Sequence, residues 1–525
     1  MKNKLNLIKK PIALLLCSLL LFVSCGDIND TPNEALIDPA NLTSVNSLKL
    51  ATIGMFKTIT SATRRTNSFQ NAFGGDDITS SAANNKLRFQ TMDKRTFDNS
   101  NEDLIWQWGR PYSVIEATNF ILENESNIET KSLDEKNQLN LFIGEAYFVR
   151  AYFYFELTNN FGKIPLVLST QLDSKTPKSE IIDVYKQIES DLLKAESLLP
   201  NKHPDVSVGI KPNKGSAKAI LAKLYMHWAG WPLKGGTDMY KKAATKAKEV
   251  INNAGTHGFA LVSDMNTLWT EEESERLNSE IVWGAAHAQH VDNHFSNRVT
   301  GSVAFPTEAG GWNEIFSEIK YFEDFPAGPR KDATFITEIK IIREDKLLPD
   351  GTDRTTPLPL GTIVSWEDLD TGARPMFKKA IGQGDITLIN PRNSNTRITS
   401  YFMRYSDLLL LYAEAEGRSG GNSPDAWRAI NDVRDRAYGV GNHNDDRSAG
   451  LAETAFKERK WELGGEFKRW YDLVRMERVE SILTANRSPR ESIDKVISGW
   501  GDLSPNNYFV PIPQEEIDRA PHLAD

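Results

Sequence analysis

Three carboxylates near the C-terminus have a spacing that could serve acid–base chemistry. Glu458, Glu462 and Glu466 recur every fourth residue, which places them on one face of a predicted helix. Paired carboxylates are the acid and base of enzymes that cleave glycosidic bonds. The same stretch also carries Lys468 and Arg469, and opposite charges three or four residues apart pair along a helix. We therefore favour an ion-pair network that holds the helix over a catalytic pair.

A serine motif and two acidic segments match the patterns of reactive or metal sites only in part. Residues 417–421 read G-R-S-G-G, and the G-x-S-x-G motif of hydrolases lies between a buried strand and a helix. The preceding residues 408–416 have helical periodicity, so this motif is interpreted as a turn between two helices. Segments 350–353 and 442–446 carry oxygen ligands but lack the full calcium-loop pattern. The sequence thus predicts no catalytic residue, no metal and no cofactor.

Three histidines lie close together in the middle of the chain. His287, His290 and His294 have spacings that would align them on a helix, as a zinc site there would require. Residues 281–286 instead read as a strand that contains Gly284, which places the histidines at a strand end and in a loop. A solvated or ligand-facing loop is therefore favoured over zinc.

Aromatic residues in loops are the best candidates for a ligand surface. Trp312, Tyr321 and Trp366 lie among glycines, prolines and charges, where no periodicity demands burial. A flat ring in such a loop can stack on the apolar face of a sugar, while nearby polar groups fix its hydroxyls. The predicted ligand-binding residues are Trp312, Tyr321, Trp366, Phe73, Asp76, Asp77 and Arg88.

The first 24 residues have the features of a secretory signal. Four lysines lie within the first ten residues, an apolar run follows over 11–23, and Ser24 precedes Cys25. The apolar run is too short to span a bilayer as a stable helix. The junction resembles the bacterial lipobox, in which Cys25 would carry the lipid. The alternative is an ordinary cleaved signal with a leftover cysteine.

Composition and charge exclude several classes of protein. The chain has 525 residues, of which 40% are apolar and 25% charged, a normal globular balance. Removal of the four N-terminal lysines takes the net charge from −9 to −13, which argues against a basic face for nucleic acid. Cys17 lies in the signal, so the mature protein keeps one cysteine and has no disulfide framework.

Hydrophobic periodicity predicts a mostly α protein. Residues 139–157 are apolar on every side of a helical wheel, which is typical of a buried helix. Glu145 and Arg150 in that helix are five residues apart, so each needs a partner on another element. Amphipathic helices are predicted over about 44–61, 181–199, 217–228, 240–251, 406–416, 424–438 and 458–475. Between them, 63–102 reads as a long structured loop, and 278–392 as loops and short strands.

Four segments resemble the SusD/RagB family, the surface nutrient-binding lipoproteins of Bacteroidetes. They are GEAYFVRAYFYFELTNNFGKIPLV, FMRYSDLLLLYAEAEGR, ERKWELGGEFKRWYDLVR and YFVPIPQEEID. The resemblance spans residues 25–520 and implies a fold of tetratricopeptide-like helix hairpins with a loop-rich insertion. It implies a signal peptide over 1–24 and a SusD-like domain over 25–525. That domain would comprise helical parts at about 25–277 and 393–525, and the insertion at about 278–392.

The same resemblance implies a function. A protein of this family would sit on the outer membrane through its lipid anchor and pass an oligosaccharide to a SusC-like TonB-dependent transporter. It would not be an enzyme. A peptide ligand and a helical scaffold for other proteins are alternatives. A secreted glycoside hydrolase is also an alternative, because paired catalytic carboxylates cannot be recognised in sequence alone.

Overall fold

The computed structural model of the protein describes residues 41–80, 84–171, 173, 175–206, 208–288, 296–299, 309–312, 314–342, 358–368, 374–380, 396–487 and 500–524. Cys25, His290, His294 and the acidic segment 350–353 lie outside these residues. The chain divides into two compact units, Met1–Leu42 and Thr43–Asp525. The elements described below belong to the second unit. Within the described ranges, no helix is long and apolar enough to cross a membrane.

The described elements are mainly helices. They are α1 (Val45–Thr63), α2 (Leu87–Lys94), α3 (Leu104–Glu123), α4 (Leu133–Phe161), α5 (Ile181–Leu198), α6 (Lys214–Ala229), α7 (Gly236–Asn252), α8 (Ala254–His257), α9 (Ile319–Asp324), α10 (Pro329–Thr334), α11 (Tyr405–Arg418), α12 (Pro424–Tyr438), α13 (Leu451–Glu462), α14 (Arg469–Arg475), α15 (Val479–Asn486) and α16 (Gln514–Arg519). The predicted mostly α fold is confirmed.

Helix α4 is the central buried helix. Its N-cap Ser132 accepts a hydrogen bond from the Glu135 N–H, and Gly162, at φ +71°, ends it. Nearly every residue from Leu139 onward is buried. Its two buried charges, Glu145 and Arg150, have partners outside the helix, as predicted. Glu145 lies 3.0 Å from His203 Nε2, and Arg150 Nε donates to Asp191 on α5 at 2.8 Å.

Neighbouring helices pack in pairs. Helix α4 packs against α3 and α5, α6 packs against α7, and α11 packs against α7, α12 and α13. Small residues such as Ala217, Ala243 and Ala247 are fully buried where α6 and α7 meet, because side chains without bulk let two backbones approach. Residues 417–421 join α11 to α12, so the serine motif is the predicted turn between helices.

The described strands form five two-stranded antiparallel sheets. The strands are β1 (Ile78–Ser80), β2 (Ile164–Pro165), β3 (Lys178–Ser179), β4 (Ile281–Ala285), β5 (Ile315–Ser317), β6 (Phe335–Ile336), β7 (Glu338–Lys340), β8 (Ile363–Ser365), β9 (Met376–Phe377) and β10 (Ser400–Arg404). Strand β1 pairs with β5, with Thr79 opposite Phe316, and β4 pairs with β10. These pairs join segments that are more than 100 residues apart in the chain.

Two sequence-based predictions of local structure are wrong. Residues 458–475 do not form one helix, because α13 ends at Glu462 and α14 begins at Arg469. Gly465 between them has φ +76°, and a Cβ on Gly464 would lie 1.7 Å from the Tyr321 hydroxyl. The stretch 63–102 is not one loop either. It contains the 3₁₀ helix Thr66–Gly74, β1 and α2.

Candidate ligand-binding surface

The C-terminal carboxylates are held in ion pairs, as predicted. Glu462 is fully buried and accepts hydrogen bonds from Arg404 at 2.8 Å, Arg436 at 2.6 Å and Arg330 at 3.2 Å. Burial alone would raise the pKa of Glu462, but these arginines outweigh it and hold the pKa well below its usual range. Glu466 pairs with Arg404 at 2.8 Å. The ion pairs of these carboxylates therefore hold α13 and the residues after it against neighbouring elements.

Asp76 and Asp77 are also buried. Asp76 accepts a hydrogen bond from Arg469 Nε at 2.6 Å and lies 2.9 Å from Lys460 Nζ. Asp77 accepts one from the Gly465 N–H at 3.0 Å. Both carboxylates thus fasten the N-terminal segment to the region between α13 and α14. The expectation that they reach a ligand on a surface loop is wrong for this structure, because each is fully buried.

Three of the predicted aromatic residues belong to the core. Phe73 is fully buried, and Tyr321 is buried with its hydroxyl donating to the Lys460 carbonyl at 2.7 Å. Trp366 is buried in a cluster that includes Phe316, Ile339 and Met376. Their expected exposure is wrong, because Phe73 packs against the Phe89 and Phe467 rings, Tyr321 against Trp461, and Trp366 within that apolar cluster.

Arg88 and Trp312 remain accessible. Arg88 is exposed, and its Nε lies 2.9 Å from Asp103 Oδ2. Trp312 is half-buried, and Cζ of Arg298 lies 5.0 Å from the centroid of its ring. Such a stack is a cation–π contact. The structure therefore leaves Trp312 as the predicted aromatic residue that can present part of its ring to a ligand.

A second half-buried tryptophan, Trp106 at the start of α3, was missed by the sequence analysis. Cζ of Arg65 lies 5.1 Å from the centroid of its ring, and Cζ of Arg110 lies 4.5 Å away. The spacing of Trp106 and Arg110, one helical turn apart, is the signal that could have indicated this stack. Nothing in the sequence placed Arg65 or Arg298 beside them.

Arg298 is joined to this group through the backbone. Its N–H donates to the Arg64 carbonyl at 2.8 Å, next to Arg65 in the chain. We name the five side chains the Arg–Trp cluster: Arg65, Trp106, Arg110, Arg298 and Trp312. Within the described ranges, no ion pair involves its three arginines. The Nε atoms of Arg65 and Arg298 are buried and have no hydrogen-bond partner among the described residues.

The charge of Arg65 acts on the guanidinium groups of both Arg110 and Arg298. Burial lowers the pKa of Arg110 and of Arg298, and the charge of Arg65 lowers both further. Glu314 acts in the opposite direction on Arg298, but it is already 3.0 Å from Lys86 Nζ. The Arg–Trp cluster is therefore a local accumulation of positive charge.

Comparison with known proteins supplies the family. A family model described as "Starch-binding associating with outer membrane" matches residues 39–226, and the model of the SusD family matches residues 279–525. The chain belongs to the SusD family. The first match contains Arg65, Trp106 and Arg110, and the second contains Arg298 and Trp312. In this SusD-family protein, the Arg–Trp cluster thus draws on both matched segments.

Individual relatives are similar over nearly their whole length. The "SusD-like protein P2" of Formosa agariphila is 25% identical over 96% of both chains. Among solved structures, a SusD homolog from Bacteroides thetaiotaomicron superposes with a TM-score of 0.73 at 23% identity, covering 91% of this chain and 96% of the other. A "Laminarin binding SusD-like protein" gives 0.66 at 23% identity, covering 90% and 97%. These likenesses support the SusD fold.

The histidine segment of this SusD-family chain is only partly described. His287 is buried, and its Nε2 lies 2.9 Å from the Ser400 hydroxyl. Among the described residues there is no group of three His, Cys, Asp or Glu side chains that could hold a metal ion. Residues 442–446 lie in the irregular segment between α12 and α13, and Asp445 pairs with Arg447 just after them.

Proposed function

We propose that this protein captures an oligosaccharide at the outer-membrane surface and delivers it to a TonB-dependent transporter of the SusC type. Membership of the SusD family supports the proposal, as do the starch-binding description of one matching model and the laminarin-binding relative. The observation that carries it is the Arg–Trp cluster. Its two half-buried tryptophans lie outside the described core, where a ring edge or face can contact a sugar.

The ligand is proposed to contact Trp106 and Trp312. Of the residues predicted from sequence, Trp312 stays in the site and Arg88 remains a candidate for its rim. Phe73, Tyr321, Trp366, Asp76 and Asp77 are not proposed to contact the ligand, because all five are buried.

Binding is proposed to occur without cleavage. The clustered carboxylates 458, 462 and 466 are engaged by arginines, which makes them poor proton donors to a substrate. Calorimetry with a panel of oligosaccharides should detect binding, and chromatography should find the oligosaccharide chain lengths unchanged after incubation. Shorter products released by the pure protein, and lost on one Asp or Glu substitution, would establish the hydrolase alternative.

The placement of the site is tested with two substitutions and a matched control. Trp106→Ala and Trp312→Ala should each weaken binding by about 2 kcal/mol, or roughly thirtyfold, because a central aromatic anchor is lost. Trp500 is a suitable control, since it is half-buried with Arg487 over its ring at 4.7 Å, and Arg487 is ion-paired with Asp93 and Glu318. Trp500→Ala should leave affinity unchanged. Equal affinities in all three variants would place the site elsewhere.

The membrane anchor is proposed to be a lipid on Cys25. The support is the basic start, the apolar run and the Ser24–Cys25 junction. One acyl chain binds a membrane only marginally, so several chains are expected. The Cys25→Ala variant should leave the membrane fraction, and its full retention there would refute a lipid anchor at this residue.

A further inference from the structure

We propose that the Arg–Trp cluster binds the acidic groups of a charged oligosaccharide, either the carboxylates of uronic acids or sulfate esters. This inference rests on the proposed function and names the class of sugar. It starts from the arginines of the cluster, which the family resemblance did not indicate. Arg65 and Arg110 lie over the same ring, the backbone of Arg298 is bonded to Arg64 beside them, and the described residues offer the three guanidinium groups no carboxylate partner.

The geometry of the stacks leaves the arginines able to bind an anion. A guanidinium that lies over a ring uses its flat face, while its N–H groups point outward in the plane. Those N–H groups match the two oxygens of a carboxylate or sulfate in a bidentate hydrogen bond. Because two guanidinium groups lie over Trp106, part of its ring surface is already covered by protein. A ligand that meets these side chains therefore meets N–H donors as well as an aromatic ring.

The charge of the cluster contrasts with the rest of the protein. The chain carries a net charge of −9, and most buried arginines elsewhere pair with acids, whereas Arg95 donates to backbone carbonyls. Arg404 pairs with Glu280, Glu462 and Glu466, while Arg475 pairs with Glu414 and Asp472. Among the described residues, the cluster lacks such compensation. Its nearby described acid, Glu314, is paired with Lys86 and so does not neutralise the arginines.

An anionic ligand would relieve this repulsion. Like charges held close together disfavour one another. Burial lowers the pKa of Arg110 and of Arg298, and the charge of Arg65 lowers both further. A carboxylate or sulfate placed among the three arginines removes the repulsion and gains charge-assisted hydrogen bonds. A neutral sugar of the same shape gains neither. The cluster should therefore distinguish charged oligosaccharides from neutral ones.

Calorimetry on the full mature chain can test this with paired probes. One arm uses uronic-acid oligosaccharides built from galacturonate, glucuronate or guluronate, each beside its methyl ester. The other arm uses sulfated galactan and fucan oligosaccharides, each beside its desulfated form. At least one charged member should bind roughly tenfold or more tightly than its neutral counterpart, and the difference should shrink in high salt. The arm in which the charged member binds more tightly identifies the acidic group as a carboxylate or a sulfate.

Substitutions test whether the Arg–Trp cluster causes the preference for charged oligosaccharides. Arg65→Gln and Arg298→Gln should each reduce affinity for the charged probe roughly tenfold, with Arg298→Lys intermediate because it keeps the charge and loses the fork. Arg428→Gln removes a charge from an exposed arginine on α12 and should change nothing. Melting temperatures of the variants should stay near that of the parent, and a variant that melts early is replaced by its Lys form.

The possible outcomes distinguish the acidic-sugar assignment from the proposal of sugar binding on which it rests. If neutral members bind as well as charged ones, or if the arginine variants keep full affinity for the charged probe, the acidic-sugar assignment is overturned while sugar binding stands. If no oligosaccharide in either arm binds, both proposals fail. If a glutamate hexapeptide competes as strongly as the charged sugar, the ligand class is a peptide and the assignment is overturned.

Discussion

Asp76 and Asp77 are adjacent in sequence and both fully buried, yet their pKa values move in opposite directions. Burial raises the pKa of both. At Asp76, Arg469 and Lys460 outweigh burial and lower the pKa to about 2. At Asp77, the Gly465 N–H only partly offsets burial, and the charge of Asp76 adds to it, so the pKa rises to about 6. The two adjacent aspartates therefore differ in state: Asp76 is an ion-paired carboxylate, whereas Asp77 is a carboxyl that is costly to ionise.

This difference predicts the pH dependence of an Asp77→Asn variant. A carboxyl with a raised folded pKa contributes stability below its unfolded pKa of about 3.9, and that contribution is lost as the pH rises through 6. The Asp77→Asn variant has no carboxyl at this position, so it does not lose this stability as the pH rises. Its free energy of unfolding relative to the parent should therefore increase by on the order of 2 kcal/mol between pH 4 and pH 7. Urea unfolding at a series of pH values measures it.

Asp76→Asn is the matched control, and its sign is reversed. The lowered pKa of Asp76 contributes stability above about pH 3.9, which is lost only as the pH falls through 2. The Asp76→Asn variant should thus be less stable than the parent at pH 7, with a difference that stays flat from pH 5 to 7. Parallel curves for the two variants would contradict the assignment of these pKa values.

Sequence reasoning at the residue scale succeeded where a buried charge demanded a partner. Glu145 and Arg150 sit in an all-apolar helix, and each has the partner that burial required. It fails for Tyr321 and Trp366, because a lack of periodicity does not imply exposure. Tyr321 packs against Trp461, and Trp366 packs against residues of several short strands, and no local pattern records such contacts. The Arg–Trp cluster was missed for the same reason.

The break between α13 and α14 is the clearest difference at the scale of elements. The apolar stripe through residues 463, 467, 470 and 474 predicted a continuous helix, and two consecutive glycines override it. Gly465 adopts a left-handed conformation, and the Phe377 ring would lie 2.4 Å from a Cβ there. The bend brings the Gly465 N–H to Asp77. The long regular helices were predictable from periodicity, whereas this turn depends on tertiary contacts.

Two glycine substitutions test the importance of this break. Gly465→Ala should destabilise the protein by about 2 kcal/mol or more, since it combines left-handed strain with overlap on the Phe377 ring. Gly54→Ala in α1 is the control, because Gly54 is exposed and a Cβ there meets nothing within 4 Å. It should raise stability by about 0.5–1 kcal/mol through helix propensity. Thermal and urea unfolding report both, and a neutral Gly465→Ala would show that the turn tolerates side chains.

At the scale of the molecule, the N-terminal and C-terminal segments interlock. Asp93 lies 2.7 Å from Arg487, and the Gly501 N–H donates to the Lys94 carbonyl at 2.8 Å. The Arg95 guanidinium donates to the Asn507 carbonyl at 2.6 Å. These contacts join positions about 400 residues apart. The two segments matched by separate family models therefore share one set of buried polar contacts.

This interlocking predicts that neither segment folds well by itself. A fragment of residues 26–277 loses the partners of Asp76, Asp93 and Arg95, and removing one partner of a buried ion pair costs about 3–5 kcal/mol. Domain stabilities are only about 5–15 kcal/mol, so we expect no cooperative unfolding transition from the fragment. Circular dichroism melts and limited proteolysis, with the full chain as reference, measure this. A sharp transition near that of the full chain would contradict it.

The stacking in the Arg–Trp cluster has a consequence for conformational entropy. A free arginine side chain samples many rotamers, and immobilising it on binding costs about 0.5–1.5 kcal/mol. Arg65, Arg110 and Arg298 already rest against ring surfaces, so most of that ordering takes place during folding. The tryptophans would thus act partly as supports that keep the arginines in place. Removing either indole should release an arginine into solvent and make the entropy of binding less favourable, in addition to the loss of the ring contact.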